Sequence, residues 1–116
     1  MTDRSSPSAL PSAPVDLVGV AIGGCQVIMA WTECGGGGAG LGFRIERADF
    51  HSPCKKFVEI GEVGENVTAF RDGSVEPGTT HSYRVLAWNA SGDSSPSNEV
   101  EMTTPKAETE LPADKE

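Results

Sequence analysis

The sequence is poor in the residues that build reactive or metal-binding sites. It has three Cys and two His in 116 residues, and it contains no Cys-x-x-Cys motif. A Cys/His zinc site therefore has too few ligands, and three Cys are too few for a small fold built on disulfides. Because the number of Cys is odd, at least one thiol has no partner within the chain.

Long apolar segments are also missing. No run of 18 apolar residues is present, so no membrane span is predicted. The opening residues, MTDRSSPSALPSAP, lack the apolar core of a signal peptide, but secretion stays open because the chain is interpretable as a piece of a longer protein. No window shows the apolar stripe of an amphipathic helix, and 14 Gly and 8 Pro favour turns.

The charge is strongly negative, with 17 acidic and 9 basic residues and a net charge of −8 at pH 7. We therefore expect neither nucleic acid nor an acidic membrane surface as a partner, and the lack of a long apolar run predicts no membrane insertion. The glycine-rich stretch 32–40 lacks the phosphate-binding motifs GxGxxG and GK[ST], and it is interpreted as a mobile loop with no cofactor. A catalytic site would need a nucleophile and a carboxylate close to a histidine. The sequence gives no reason to place such groups close to His51 or His81, so we expect no enzyme activity.

Alternation of side chains predicts β-strands. Along residues 80–89, one set of alternate side chains is mostly apolar and is assigned to the core. The other set is mixed and expected to be half exposed; it comprises Arg84, Leu86 and Trp88. Pro77-Gly78 before this run is a turn signal. Seven short strands with turn signals between them predict an all-β fold of two packed sheets.

Several segments, in order, resemble a fibronectin type III domain. They are Pro14 and Leu17 in the first strand, Trp31 in the second, GFRIERA, FVEIGEV, and VEPGTTHSYRVLAWNASGDSSPSNEV for the last two strands. The resemblance covers residues 14–104, with 1–13 expected as a flexible lead-in and 105–116 as a disordered acidic tail. It implies a seven-stranded Greek-key β-sandwich, immunoglobulin-like, with fibronectin type III topology.

The resemblance also implies the position of each strand. Strands A, B and E form one sheet, and C′, C, F and G form the other. The ranges are A 14–20, B 25–31, C 41–48, C′ 56–63, E 67–72, F 80–89 and G 96–103. The implied core is Leu17, Val27, Met29, Trp31, Phe43, Ile45, Tyr83, Val85, Ala87 and Val100. From alternation, Cys25 is expected to join the core face of B, and Val67, Ala69 and Val75 are expected to point inward.

Two covalent features stay open. In the implied topology Cys25 and Cys54 lie at the same end of the sandwich and Cys34 at the other, so Cys25–Cys54 is the candidate disulfide. The alternative is three free thiols, with Cys25 buried as a small apolar residue. Asn66 and Asn89 each begin a glycosylation triplet, but both also have a plain turn-forming role.

The resemblance implies a non-catalytic interaction or spacer module, expected to be a monomer within a larger extracellular or cell-surface protein. Its partner would be another protein or a neighbouring domain. One alternative is a structural linker of a secreted polysaccharide-degrading enzyme. Another is an intracellular scaffold domain, for which a cytoplasmic location and free thiols would be consistent.

Two surfaces are candidates for partner contacts. The family uses loops at one end, which correspond here to residues 32–40, 64–66 and 90–95. The other candidate is the exposed face of strands C and F, with Arg44, Glu46, Arg84, Leu86 and Trp88. For Trp88, simple packing over neighbouring strands is the favoured alternative, because isolated surface aromatics are common.

One departure from the family lies at the E–F corner. Members usually carry a Tyr three residues after the Gly of the Pro-Gly turn, and its hydroxyl ties the corner to nearby backbone. His81 stands there instead. An imidazole donates one hydrogen bond but reaches less far, which predicts a weaker corner; a pH-sensing or ligand-binding His81 is the alternative.

We expect the substitution His81→Tyr to raise the midpoint of thermal unfolding, because the longer side chain restores the hydrogen bond to the corner. Scanning calorimetry of the two proteins measures the change. A midpoint that does not rise would mean that His81 is well placed at this corner.

Overall fold

The computed structural model describes residues 10–34, 40–49 and 56–106. Among these residues there is no helix, and every strand pairing is antiparallel. The eight strands are β1 (Val15–Ile22), β2 (Gln26–Thr32), β3 (Gly42–Asp49), β4 (Val58–Gly64), β5 (Ala69–Asp72), β6 (Thr80–Asn89), β7 (Gly92–Asp93) and β8 (Val100–Thr103). The expected all-β class is confirmed.

The strands form two sheets that pack face to face. One sheet has the order β1-β2-β5. The other has the order β4-β3-β6, with β7 and β8 both paired to β6. The chain changes sheet between β2 and β3, between β4 and β5, and between β5 and β6. The expected grouping of strands A, B and E against C′, C, F and G is confirmed.

The last strand is shorter than expected: β8 begins at Val100 instead of near residue 96, and the two residues of β7 lie in the predicted loop 90–95. Between them, two serines keep the hydrogen bonds of β6. Ser97 donates its N–H to the Val85 carbonyl (2.8 Å), and its Oγ accepts the Val85 N–H (3.0 Å). Ser94 does the same with Ala87, at 2.7 and 2.9 Å. A hydroxyl therefore replaces a strand carbonyl at each position, and the buried groups of β6 stay paired.

The core lies between the two sheets and matches the implied set closely. Nine of its ten members are buried: Leu17, Val27, Met29, Trp31, Phe43, Ile45, Tyr83, Val85 and Ala87. Val100 is partly buried and packs against this cluster. Trp31 and Phe43 come from opposite sheets and meet edge to face, with ring centroids 5.5 Å apart. Each large apolar side chain buried in this way contributes about 1.5–3 kcal/mol.

Strand β5 faces the opposite way from the prediction. Val67 and Ala69 are exposed, whereas Phe70 is half-buried against the core and Asp72 is buried. The expectation that Val67 and Ala69 point inward is therefore wrong, although Val75 is buried as expected. Phe70 covers Gly61 of β4, where a Cβ would collide with the Phe70 ring.

The inward carboxylate of Asp72 joins the two sheets. Its Oδ2 accepts hydrogen bonds from Tyr83 Oη on β6 (2.7 Å) and from Arg47 Nη1 on β3 (2.8 Å). Its Oδ1 accepts from the Ser74 N–H (3.0 Å) and from Ser74 Oγ (2.6 Å). All four acceptor positions of this carboxylate are used. A buried charge is tolerated when it is paired and hydrogen-bonded in this way.

The pKa values in this cluster follow from the same contacts. Burial alone would raise the pKa of Asp72, but the hydrogen bonds from Ser74, Tyr83 and Arg47 outweigh it and lower the pKa from 3.8 to about 2. Burial and the contact with Asp72 raise the pKa of the Tyr83 phenol above its ordinary value. Desolvation lowers the pKa of Arg47, but the hydrogen bond and charge of Asp72 raise it overall.

The E–F corner is held by residues other than His81. The Nδ1 of His81 lies 3.0 Å from Asp49 Oδ1, but it is buried and makes no hydrogen bond because the two atoms are poorly aligned. Thr79 and Thr104 tie the corner instead. Both hydroxyls donate to the carbonyl of Glu76 at 2.6 Å, and the Thr104 N–H donates to the Thr79 carbonyl at 2.9 Å.

We expect acid to weaken the fold through Asp72. Because its folded pKa is depressed, the stabilisation is complete above pH 3.8 and is lost as the pH falls through about 2. This loss amounts to about 2 kcal/mol in the free energy of unfolding. Urea denaturation across this pH range measures it. The variant Asp72→Asn should be less stable at neutral pH and should lack this part of the acid dependence; an identical acid dependence would contradict the role of Asp72.

Candidate functional site

The five candidate contact residues share the outer face of the sheet β4-β3-β6. Residues directly opposite each other in antiparallel strands point to the same side. Arg44 of β3 is opposite Leu86 of β6, and Glu46 is opposite Arg84. Trp88 is opposite Gly42. The structure therefore brings all five to one face, which we call the charged face.

Arg84 organises one end of the charged face. Its Nε donates a hydrogen bond to Glu46 Oε1 at 2.7 Å. Its guanidinium lies over the ring of Phe57, 4.1 Å from the centroid. The side chains of the ion pair are 28% and 21% exposed, so the pair contributes about 1 kcal/mol at most. Phe57 was expected within strand C′ but was not linked to Arg84, because alternation along separate strands does not show which side chains meet across a sheet.

Arg44 organises the other end. Its Nε donates to Asp93 Oδ1 at 3.1 Å, and its Nη1 lies 3.5 Å from Glu59 Oε1. Its guanidinium is 5.1 Å from the centre of the Trp88 ring. Desolvation lowers the pKa of Arg44, but the hydrogen bond to Asp93 and the charges of Asp93, Glu59 and Glu62 raise it overall. Arg44 on β3 therefore contacts side chains from three other strands, β4, β6 and β7.

Trp88 is seated on the backbone of Gly42. A Cβ at Gly42 would lie 2.9 Å from Trp88 Nε1 and 3.2 Å from Cε2, so a side chain there would displace the indole. The Nε1 atom is buried and has no hydrogen-bond partner. Trp88 as a whole is half-buried. Much of the Trp88 ring is therefore in contact with the rest of the protein. Only the part of the ring that Arg44 does not cover is accessible to a partner.

Leu86 offers little surface, because it is only 8% exposed. The expectation that it is half exposed is wrong. It lies in the middle of β6, which has neighbours on both sides, and long side chains stand two residues away on either side. The apolar stems of such side chains cover adjacent apolar surface while their polar ends reach water.

The loop end of the sandwich is partly covered by the chain itself. Residues 35–39 of the first predicted loop lie outside the described residues. At the F–G turn, Leu10 Cδ2 is 3.3 Å from the position of a Cβ at Gly92. Pro11 is buried and lies beside Gly40. The part of the lead-in that the structure describes therefore packs against the end that the family uses for recognition.

The candidate covalent sites have distinct settings. Cys25 and Cys34 are exposed, so the expectation that Cys25 joins the core is wrong: it sits in the turn before β2 rather than in the strand. Cys54 lies outside the described residues, and its pairing with Cys25 stays a prediction. Asn66 is exposed with φ of 71°, while the Asn89 Oδ1 accepts the Ser91 N–H at 2.8 Å.

An open groove of 740 Å³ lies between the start of β1 and the segment 96–98. The amide of Asn98 already pairs with both backbone groups of Leu17 there, at 2.9 and 3.0 Å. Within the described ranges, no three His, Cys, Asp or Glu side chains are grouped to hold a metal ion. No helix in that part of the chain is long and apolar enough to cross a membrane.

Reversing the charge of Arg84 tests the organisation of the charged face. We expect Arg84→Glu to lower the free energy of unfolding by about 1 kcal/mol, because two carboxylates then face each other across β3 and β6. The double variant Arg84→Glu/Glu46→Arg should recover part of this loss. Urea denaturation of the wild type, both single variants and the double variant measures the coupling; purely additive effects would contradict the pairing.

No family model matches the chain, and no curated protein matches its sequence. Solved structures do match. The fibronectin type III domain of human fibronectin type III domain containing protein 3 is 26% identical, with a TM-score of 0.72 over 89% of this chain and 94% of that chain. The FN5 domain of Drosophila Lar is 18% identical, with a TM-score of 0.67 over 84% of this chain and 99% of that chain.

Larger chains match as well. Chicken CNTN1 FN1-FN3 domains are 18% identical, with a TM-score of 0.75 over 85% of this chain. This chain spans about a third of that structure and of a titin structure of several domains, at 33% and 34%. The two antiparallel sheets of the described residues agree with these matches. By its fold, the chain is a fibronectin type III-like β-sandwich.

Proposed function

We propose that the chain is a non-catalytic module that spaces, and makes contacts for, the domains of a larger extracellular or cell-surface protein. Domains with this fold are typically modules for interaction or spacing in multidomain proteins. Two of the matching structures contain several domains in one chain, of which this chain spans about a third. That setting supports a role that depends on position between neighbours.

The observation that carries the proposal is the path of the chain. Val15 begins β1 opposite Thr32, the last residue of β2. At the other end, the Pro105 carbonyl lies 3.2 Å from the position of a Cβ at Gly24, in the turn between β1 and β2. The chain therefore enters and leaves at opposite ends of the sandwich, separated by the eight residues of β1, or roughly 26 Å.

The charged face supports the contact part of the role. Arg44 and Arg84 are each held by a carboxylate and by an aromatic ring, so their positions are fixed before any partner arrives. Pre-ordered side chains lose less conformational entropy on binding. A surface with both signs of charge suits a protein partner or a neighbouring domain of similar character.

The exposed thiol of Cys34, which is not part of the predicted Cys25–Cys54 pair, is compatible with the alternative of an intracellular scaffold, because disulfides persist mainly in oxidising compartments. No described feature favours the linker of a polysaccharide-degrading enzyme over either of these.

The spacer role is tested by energy transfer between two fluorescent reporter domains. In one protein they flank the whole chain. In the control they are joined by residues 1–13 and 105–116 alone. We expect weaker transfer with the whole chain, because the folded module holds its two ends roughly 26 Å apart. Equal transfer in the two proteins would rule out the spacer role and leave only the contact role.

A further inference from the structure

Strand β4 is an open edge of the larger sheet. Its seven residues, Val58–Gly64, pair with β3 on one side. On its other side, the described ranges contribute no strand, and the backbone bond found there runs from the Val67 N–H to the Gly64 carbonyl, at 3.2 Å. A row of backbone N–H and C=O groups is therefore left for water or for another chain.

The other edges of the sandwich are covered or short. Along β1, the Asn98 side chain pairs with both backbone groups of Leu17, and Met102 lies against Gly19, with Sδ 3.2 Å from the position of a Cβ there. Strands β5, β7 and β8 have four, two and four residues. Strand β4 is thus the longest edge that the described part of the chain leaves unpaired.

The regular part of β4 is the stretch 61–64. Its register against β3 is continuous there and shifts at Ile60, which has no partner residue on β3. A bulge of this kind bends a strand and interrupts its pairing, so four residues remain for an added strand. Phe70 covers Gly61 from the core side, in the direction of a side chain, and leaves the backbone edge open. Neither Lys nor Pro, which often block an edge, occurs in β4.

The side chains along this edge are acidic. Glu59 and Glu62 are exposed on the strand, and Glu65 is exposed directly after it. Glu59 lies within 3.5 Å of Arg44, whereas Glu62 makes no hydrogen bond with a described residue and is attracted to Arg44 only at longer range. On the same face, nothing lies within 4 Å of the position of a Cβ at Gly64. A long side chain of a partner therefore has room beside Glu62.

These carboxylates select what can pair with the edge. A second copy would bring its own Glu59 and Glu62 against the same residues, and like charges on neighbouring strands are destabilising. The net charge of −8 adds to that repulsion. In an extended segment, alternate side chains share a face. A segment with Lys or Arg at alternate positions therefore places its cations beside the carboxylates of β4.

We propose that the edge of β4 binds an extended basic segment of a partner protein as an added strand. Backbone hydrogen bonds along 61–64 hold the segment, and Glu62 favours basic side chains in it. The edge lies beside the charged face, so this inference gives the contact role proposed above a specific kind of partner and rests on that role. Because the regular stretch is short, the binding is weak for a single segment.

The test uses a synthetic peptide of alternating Lys and Thr, with a peptide of alternating Glu and Thr as its control. Each is titrated into the isotope-labelled whole chain, and the amide resonances are followed by NMR. We expect the Lys-Thr peptide to bind with a dissociation constant on the order of 0.1–1 mM at about 0.05 M salt. It should shift the amides of β4 most and slow their hydrogen exchange, whereas the Glu-Thr peptide should not bind.

A methylated peptide separates strand addition from simple attraction of charges. Methylation of the backbone nitrogens of the Lys-Thr peptide keeps every positive charge but removes the donors that pair with a strand edge. We expect this peptide to bind at least about tenfold more weakly, because two or more backbone hydrogen bonds are lost.

Two variants of the chain that each remove one negative charge locate the contact. Glu62→Gln should bind the Lys-Thr peptide about two- to fivefold more weakly, because one exposed ion pair is lost. The matched control is Glu101→Gln. Glu101 is also exposed, but it lies on β8, on the opposite side of the same sheet. This control should bind like the wild type, and thermal unfolding should show both variants folded.

The edge proposal is overturned if the Lys-Thr peptide does not bind at about 1 mM, if the methylated peptide binds equally well, or if the two variants have equal effects. Shifts confined to the surroundings of Arg44 and Arg84 would also overturn it, but they would support a contact role of the charged face. Energy transfer between the reporter domains tests the spacer role independently. Failure of the edge proposal is therefore distinguishable from failure of the proposed function.

Discussion

A buried carboxylate between the sheets is the constraint on which much of this structure depends. Asp72 loses its hydration in the core, and that loss is offset only while all four of its acceptor positions are filled. Two of the donors, Arg47 and Tyr83, come from the facing sheet, and Ser74 comes from the turn after β5. A shift of either sheet by one residue would leave the charge unpaired. The cluster therefore fixes the register of the sandwich more sharply than apolar packing does.

The inward position of Asp72 also determines which side chains of β5 lie on the outer face of its sheet. Alternation means that inward Phe70 and Asp72 force Ala69 and Arg71 outward. On that surface Ala69 lies beside Ala30, which lies beside Val18, while Arg71 lies beside Ile28 and adds one positive charge. An inward Ala69 would instead have placed a carboxylate on the outside, next to the exposed valines. The apolar character of one outer surface is thus a consequence of a polar contact in the interior.

Sequence reasoning reached the fold because strand C alternates cleanly, turn residues separate the predicted strands, and several segments in order resemble one family. The prediction was wrong at β5, where Val67 and Ala69 were assigned to the core because they are apolar. The signals were present: Arg47 shares the parity of Phe43 and Ile45, and Tyr83 carries a hydroxyl on a core parity, so both needed a buried polar partner. The gap in strand pairing between β7 and β8 was not predicted. Serine hydroxyls replace strand carbonyls there, and this exchange leaves no apolar pattern in the sequence. The contacts of Arg84 required the register, which alternation does not supply.

The two outer faces differ in chemistry, and the difference follows from the contacts that the side chains of each face already make. On the charged face, each arginine already has a carboxylate and a ring, so a partner must exchange existing pairs for new ones, and the net gain is small. Such a face selects orientation and partner more than it adds affinity. On the outer face of the sheet β1-β2-β5, Val18, Val20 and Ile22 are 60%, 52% and 47% exposed, so burial of apolar surface would be the favourable contribution there. The two outer faces of the sandwich therefore differ in the interaction that each would offer a partner: exchange of ion pairs on one side and burial of apolar surface on the other.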